Sequence, residues 1–424
     1  MESDGSSYGS RRNLLKAIGG TVGVSAVAGC IDNIGGGDDG GAPGTVRIGL
    51  PIPTSGAYGF LGDDFELGFD MRKDGLNDSD DVLPETTLET VSADTGSDPE
   101  EGLSAARRLV LEEGADLLVG GANSQVVSSI ANFASEENVP YFIGLGTTKA
   151  VTTGEKCKIT TARIAATTEV NPKILPTYAV NDLDLKKGYS LLPDYSIGYQ
   201  MQEIVPATVE ANGGEIVQEK LVPVGKEDWG TIINDIQSSD ADFLFVGVAG
   251  SGLIPFLTQA ANRGVDIPIF INFFFSPTAG ALTQQQVEDL PGLYRSAYYT
   301  REISTPENEE FRSAFMDQFD RPPIYPNGFG YMNANFVAEA LSDAGTVETD
   351  QFMESVEGLT WDDLVGTIRI RECDHQGLPP MHLTRYTGIE NELGTNEIIK
   401  RYPAEDLEGQ FVTPCDEAAC SFDQ

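Results

Sequence analysis

Phe243-Leu244-Phe245-Val246-Gly247-Val248 is the stretch whose reading decides the fold, a near-continuous apolar run expected of a central parallel strand buried on both faces. Amphipathic segments flank it, residues 229–238 before and 251–263 after, so the run stands inside an alternation of strand and helix. Moving towards the amino terminus, residues 215–222 and Tyr189-Ser190-Leu191-Leu192 read as strands, with residues 199–211 as the helix between them. In the other direction, Pro268-Ile269-Phe270-Ile271 is expected to be the last central strand.

A separate series of the same kind lies upstream. Val46-Arg47-Ile48-Gly49-Leu50 is a strand, and the loop 51–59 leads into a helix reaching about Lys73. Residues 87–93 form the next strand. Asp98-Pro99-Glu100-Glu101 supplies an N-cap, proline at the first helical position and acids in the first turn, all of which favour helix initiation. Leu103, Ala106, Leu109 and Val110 place one apolar stripe on that helix. Asp116-Leu117-Leu118-Val119-Gly120, a helix from Ser124, and Pro140-Tyr141-Phe142-Ile143-Gly144 complete a lobe of three to four strand-helix units.

With 424 residues, two lobes of about 150 residues plus appendages are expected. The formal net charge is −39, from 66 acidic and 27 basic side chains spread along the chain. Such a surface repels nucleic acid and anionic lipid, so no nucleic-acid partner is expected. The excess of acids, with lysine scarce even among the bases, resembles the proteins of halophilic archaea. In strong salt the screening length falls to about 3 Å, which lets a fold tolerate the mutual repulsion, whereas low salt should unfold it.

Ser10-Arg11-Arg12-Asn13-Leu14-Leu15-Lys16 opens a weakly apolar stretch ending at Val27-Ala28-Gly29-Cys30. Residues 1–30 read as a twin-arginine export signal with a lipobox, too short and too glycine-rich for a membrane span. Cys30 is then the lipid anchor, on the outer face of the cytoplasmic membrane, and residues 31–44 are a flexible linker. Four cysteines remain, Cys157, Cys373, Cys415 and Cys420, and in an exported protein they allow three disulfide pairings. The preferred one is Cys415 with Cys420 and Cys157 with Cys373. No metal site or cofactor is expected, since the only histidines are His375 and His382 and no paired Cys-x-x-Cys spacing occurs.

The motifs also carry a resemblance. Arg47-Ile48-Gly49 with Pro53-Thr54-Ser55-Gly56, Asp94 with Asp98-Pro99-Glu100-Glu101, Leu118-Val119-Gly120-Gly121 with Asn123-Ser124, and Val139-Pro140-Tyr141 follow one another in order. Further on come Pro193-Asp194-Tyr195-Ser196-Ile197-Gly198, Asn212-Gly213-Gly214-Glu215, Ala241-Asp242-Phe243-Leu244-Phe245 and Arg371-Glu372-Cys373-Asp374-His375-Gln376. Over residues 45 to 400 the chain resembles the branched-chain amino-acid-type solute-binding proteins of ABC transporters. The resemblance implies an α/β fold of the periplasmic-binding-protein-like type I, with two Rossmann-like lobes and parallel sheets. It also implies three hinge crossovers, near Thr167, Tyr299 and Trp361, giving one lobe of 45–166 plus 300–360 and another of 167–299 plus 361–424. Hinge closure over a ligand is the motion it implies.

In open α/β sheets ligands sit beyond the carboxyl ends of strands. That rule selects Thr54, Ser55 and Tyr58, then Asn123 and Ser124, then Gly146, Thr147 and Thr148 in the first lobe. The family resemblance makes Ser124 and Thr148 carboxylate-binding hydroxyls; the alternative is helix capping. In the second lobe the candidates are Tyr195, Ser251, Asn272 and Phe273. This lobe departs from the leucine-type pattern. Ile197-Gly198 stands where a Tyr-Gly pair is common, and Asn272-Phe273-Phe274-Phe275 stands where an acid would meet an ammonium. An ammonium buried without a carboxylate is costly, so an amide, a urea-like molecule or a small carboxylate competes with an amino acid as the solute. The partners implied are that solute and an ABC permease. A ligand-sensing ectodomain acting with a separate membrane receptor is the rival reading. Enzymatic turnover is disfavoured, because no Gly-x-Ser-x-Gly elbow and no Gly-x-x-x-x-Gly-Lys loop occurs.

Overall fold

A computed structural model describes residues 44–79, 82–248, 250–272, 279–418 and Cys420. The expectations for the export signal, Cys30, the linker up to residue 43 and Phe273 lie outside the described residues.

Strands β1 (Thr45–Ile52), β2 (Thr87–Asp94), β3 (Leu117–Gly120), β4 (Tyr141–Ile143) and β5 (Thr161–Arg163) form a parallel sheet in the order β2-β1-β3-β4-β5. The connecting helices α1 (Gly59–Asn77), α2 (Pro99–Arg107) and α3 (Ser124–Glu136) lie where the apolar periodicity placed them. Asp98 caps α2 as expected, its carboxylate accepting from the amides of Glu100 and Glu101. Helix α1 packs on a later helix, Tyr325–Ala344, at backbone contact. A Cβ at Gly68 would fall 1.9 Å from the Asn327 carbonyl oxygen, and one at Gly330 2.0 Å from that of Phe65, so only glycine admits this crossing.

The second sheet contains β6 (Lys187–Pro193), β7 (Glu215–Val222), β8 (Phe243–Val246), β9 (Ile269–Ile271) and β10 (Leu293–Ala297), all parallel. Helices α4 (Val170–Asn181), α5 (Ser196–Ala211), α6 (Gly230–Ser238) and α7 (Leu253–Asn262) accompany it. Strand β8 lies between β6 and β9 and is fully buried; Phe243 and Phe245 enter one apolar cluster, Leu244 and Val246 the other. That division between two faces is what the apolar run anticipated.

The sheet is longer than expected. After β9 comes β10, whose Arg295 and Ser296 are buried; Arg295 lies over the Tyr386 ring, 5.4 Å from its centroid. A hairpin, β14 (Met381–Glu390) and β15 (Leu393–Tyr402), then adds antiparallel to β10 and gives the order β15-β14-β10-β9-β8-β6-β7. Its two-residue turn, Asn391-Glu392, has φ of 50° and 62°, the left-handed pair that suits a tight hairpin.

A separate three-stranded antiparallel sheet contains β11 (Thr360–Asp363), β12 (Gly366–Ile370) and β13 (Gly377–Leu378). It stays with the first sheet: Gln376 bridges to Arg163 at the end of β5, and Trp361 stacks on Phe336 at 5.2 Å. The third passage between sheets therefore falls at Pro379-Pro380 rather than near Trp361, because the bridge from Gln376 to Arg163 keeps β11 to β13 with the first sheet and Met381 opens β14 of the second.

The disulfide expectation is corrected. Cys157 pairs with Cys420 and Cys373 with Cys415, each with 5.8 Å between Cα atoms. Beyond β15 the tail returns over β12, fastened by Arg369 to Glu408 at 2.9 Å and by the Arg371 Nη1 donor to the Thr413 carbonyl at 2.7 Å. Cys415 thus arrives beside Cys373, and the turn Cys415–Ala418 carries the chain on towards Cys157 instead of folding back upon itself.

Candidate functional site

The loops that leave the carboxyl ends of β1, β3 and β4 carry the first-lobe candidates, and their polar atoms fall into two groups. In the first group they are already engaged. Asp94, at the end of β2, gathers amide donors from Thr54 (2.9 Å), Ser55 (3.2 Å) and Gly96 (2.9 Å) and the Ser55 hydroxyl at 2.5 Å. Partial burial pushes the Asp94 carboxyl up, but these donors outweigh it and hold the group below the usual carboxylate range. Ser55 is therefore a brace of its loop. Asn123 is the N-cap of α3: its Oδ1 accepts from the Gln125 and Val126 amides at 3.1 and 2.9 Å, and its Nδ2 donates to the Ser97 carbonyl at 2.9 Å.

The second group presents surface or hydroxyls. Ser124 opens α3 and is exposed, with no side-chain hydrogen bond among the described residues. Gly146 is buried, its amide donating to the Gly121 carbonyl at 3.1 Å, and Thr147 and Thr148 are half-buried. The Thr148 hydroxyl accepts weakly from the Ala150 amide at 3.4 Å, while its carbonyl oxygen accepts from Arg163 at 2.5 Å. Tyr58 is 41% exposed.

On the second sheet, Tyr195 precedes α5 and is 40% exposed. The entry is tight, since a Cβ at Gly198 would lie 1.7 Å from the Pro193 carbonyl oxygen; the Ile-Gly pair thus meets a steric demand of the strand-helix turn. Burial raises the Tyr195 phenol, and Tyr58 raises it further by repulsion. Side chains from the two sheets' strand ends accordingly stand within electrostatic reach. Ser251 is exposed in the turn Gly250–Gly252. Asn272 follows β9 and is buried, and its Oδ1 has no hydrogen-bond partner among the described residues.

Sequence reasoning did not single out the groups behind these loops. Asn171, in the first turn of α4, donates to the Asn272 carbonyl at 3.4 Å and accepts from the Ser296 hydroxyl at 2.5 Å. Arg163 holds the Thr148 loop from below. Its signal in the sequence was a lone cation in the apolar run Thr161-Ala162-Arg163-Ile164-Ala165. Glu169 sits at the first passage between sheets, with Lys173 at 3.1 Å, Lys149 at 3.7 Å and the Thr413 amide at 2.9 Å. Burial pushes its carboxyl up, but Lys173, the Thr413 amide and Lys149 together bring it below the ordinary value. Among the described residues no cluster of three metal-binding side chains occurs, and no helix is long and apolar enough to cross a membrane.

Comparison with known proteins adds family and fold. A profile described as periplasmic binding protein matches residues 45–391. The Leu/Ile/Val-binding protein homolog 6 of Brucella melitensis is 24% identical over 339 residues, covering 77% of this chain and 83% of that protein. An ABC transporter substrate-binding protein from Sphaerobacter thermophilus superposes with a TM-score of 0.75 at 22% identity, over 88% of this chain and 100% of that one. A solute binding protein of an ABC transporter from Rhodopseudomonas palustris, in complex with 3,4-dihydroxybenzoic acid, gives 0.74 at 20% identity, over 85% and 98%.

Proposed function

This chain belongs to the periplasmic binding protein family, and from that membership we propose that it is the solute-binding component of an ABC importer, enclosing one small polar solute between its two halves. The observation that supports this reading is the placement of Tyr58 and Tyr195, which follow the carboxyl ends of β1 and β6 in different sheets and both keep about two-fifths of their surface open. Ligands of open α/β sheets sit where such loops converge. The chain passes between the sheets three times before its tail returns, which favours closure by hinge rotation.

In this reading Tyr58, Ser124, Thr147 and Thr148 meet the solute from one side, and Tyr195, Asn272 and Phe273 from the other. Ser55 and Asn123 act behind them as loop braces. The relatives' names support a solute in the range from branched-chain amino acids to small aromatic acids. Export by the twin-arginine route and lipidation of Cys30 would place the protein on the outer face of the cytoplasmic membrane, tethered by residues 31–44, in the high salt that its −39 charge suits. The test is a thermal-shift screen in molar KCl against amino acids, amides, urea and short or aromatic carboxylates, with mass spectrometry of whatever co-purifies. One solute should bind with 1:1 stoichiometry, raise the melting temperature and be recovered at unchanged mass. Recovery of a chemically altered compound would contradict the proposal.

A further inference from the structure

Arg163 is fully buried at the end of β5, and each of its three kinds of donor nitrogen has a partner. Nη1 donates to the Thr148 carbonyl at 2.5 Å, Nη2 to the Thr152 hydroxyl at 2.7 Å and Nε to the Gln376 side-chain carbonyl at 2.9 Å. Every one of those acceptors is neutral. Among the described residues no carboxylate forms an ion pair with this guanidinium. Its two closest acidic influences are committed elsewhere, Asp374 to Arg371 and Glu169 to Lys173 and Lys149. Burial lowers the Arg163 pKa to about 10, partly offset by Tyr298 and Asp374, so the group stays protonated at neutral pH. A cation withdrawn from water without a counter-charge is expensive, and its field extends far through the surrounding protein.

The peptide that Arg163 grips joins Thr148 to Lys149. With its carbonyl end on the guanidinium, a trans peptide turns its N–H the opposite way. Loops on the candidate cleft are unusual for this chain in another respect. Residues 53–58, 121–123, 144–148 and 250–252 contain no Asp or Glu, although the whole chain has 66 acids, and the acids beside them are engaged, Asp94 by Ser55 and the Thr54 and Gly96 amides, Glu169 by Lys173, Lys149 and Thr413. The one acid directly after a strand end of the second sheet's β6, Asp194, is exposed and accepts from the Tyr199 hydroxyl at 2.8 Å.

We propose that Arg163 is a specificity-determining residue: it is the buried counter-charge for a carboxylate seated at the Thr147-Thr148 loop, so the solute is a carboxylic acid and the matching uncharged amide is rejected. This rests on the solute-capture reading above and narrows it, removing amides and urea-like molecules. Arg163 acts through the loop and need not touch the solute. A unit charge about 7 Å away at an effective dielectric near 20 favours acid over amide by roughly 30-fold or more. Because the guanidinium is buried, the preference should survive molar salt.

The experiment measures dissociation constants in molar KCl for acid and amide pairs: benzoate and benzamide, 4-hydroxybenzoate and 4-hydroxybenzamide, isovalerate and isovaleramide, L-leucine and L-leucinamide. The wild type should prefer at least one acid by roughly 30-fold. Arg163→Gln should bring that pair to within about threefold by weakening the acid alone, and Arg163→Lys should keep most of the preference. Amide binding as tight as acid binding overturns the proposal and leaves solute capture standing, whereas no binding by any acid or amide overturns both. Equal loss of acid and amide in a folded Arg163→Gln protein assigns the residue to structure and refutes its electrostatic role. Should Arg163→Gln fail to fold, the wild-type ratio and the Lys variant decide.

Discussion

Removing the Cys157–Cys420 bridge, in a Cys157→Ser/Cys420→Ser protein, should cost more stability than removing any other single feature of the tail. The bridge joins residues 263 apart in sequence. Constraint of the unfolded chain by a loop of that length corresponds to about 5.5 kcal/mol, against about 4 kcal/mol for the 42-residue separation of Cys373–Cys415. Native contacts of the tail add little to this, since most of its anchoring lies upstream of Cys415, in Leu407, Phe411, Val412 and Thr413. The assay is equilibrium urea unfolding in molar KCl, read through the chain's two tryptophans. Trp229 lies in the core cluster of the second sheet and Trp361 in the larger cluster, so Trp229→Phe and Trp361→Phe backgrounds report on different regions. A loss of about 3 to 5 kcal/mol is expected, and reductant, which opens both bridges of the wild type, should cost more than this. A bridge-free protein within about 0.5 kcal/mol of wild type would refute the reasoning, because it would mean that the unfolded chain gains nothing from release of the tail.

Two further outcomes are expected. Ser124→Ala/Thr148→Ala should weaken solute binding by about 1 to 3 kcal/mol for each hydroxyl that loses its partner, and titration calorimetry giving an unchanged dissociation constant would remove both from the site. His382 is buried, and burial followed by repulsion from Arg401 lowers its pKa to about 4. Its neutral form therefore stabilises the fold fully above pH 6.5, and that contribution is lost as pH falls through about 4, amounting to roughly 3 kcal/mol. Buried Asp363 shifts the opposite way, raised to about 6, so the reading must come from the difference between wild type and His382→Gln at pH 7 and pH 4.5; no difference in pH dependence would contradict the assignment.

Local signals carried the fold as far as they were free of conflict. The run at Phe243 and the cap at Asp98 agree with their surroundings, so pattern and structure coincide. Strand β10 was hidden by Arg295 and Ser296, whose polarity is absorbed by Tyr386 and Asn171, partners more than 90 residues away in sequence. The bridges were misread for the same reason. Cys415 and Cys420 are neighbours in sequence, but the tail's direction is set by Arg369, Arg371 and Glu169. At the site, strand ends selected the loops, yet side-chain identity alone could not separate Asn123, whose amide caps a helix, from Ser124, which is exposed beside it. Arg163 escaped notice because a charged residue in an apolar strand acquires meaning only from the loop it supports.

Closure of the two halves on a captured solute is measured most directly as a distance. Cysteines introduced at Glu101, in the first turn of α2, and at Gln200, in the first turns of α5, are exposed at strand ends of the two sheets. The four cysteines of the described chain are paired, so in a protein beginning after Cys30 a nitroxide pair labels these positions alone. Pulsed electron-electron resonance should give one distance without solute and a single shorter one at saturation with the tightest-binding acid. An unchanged distance distribution at proven saturation would contradict the account.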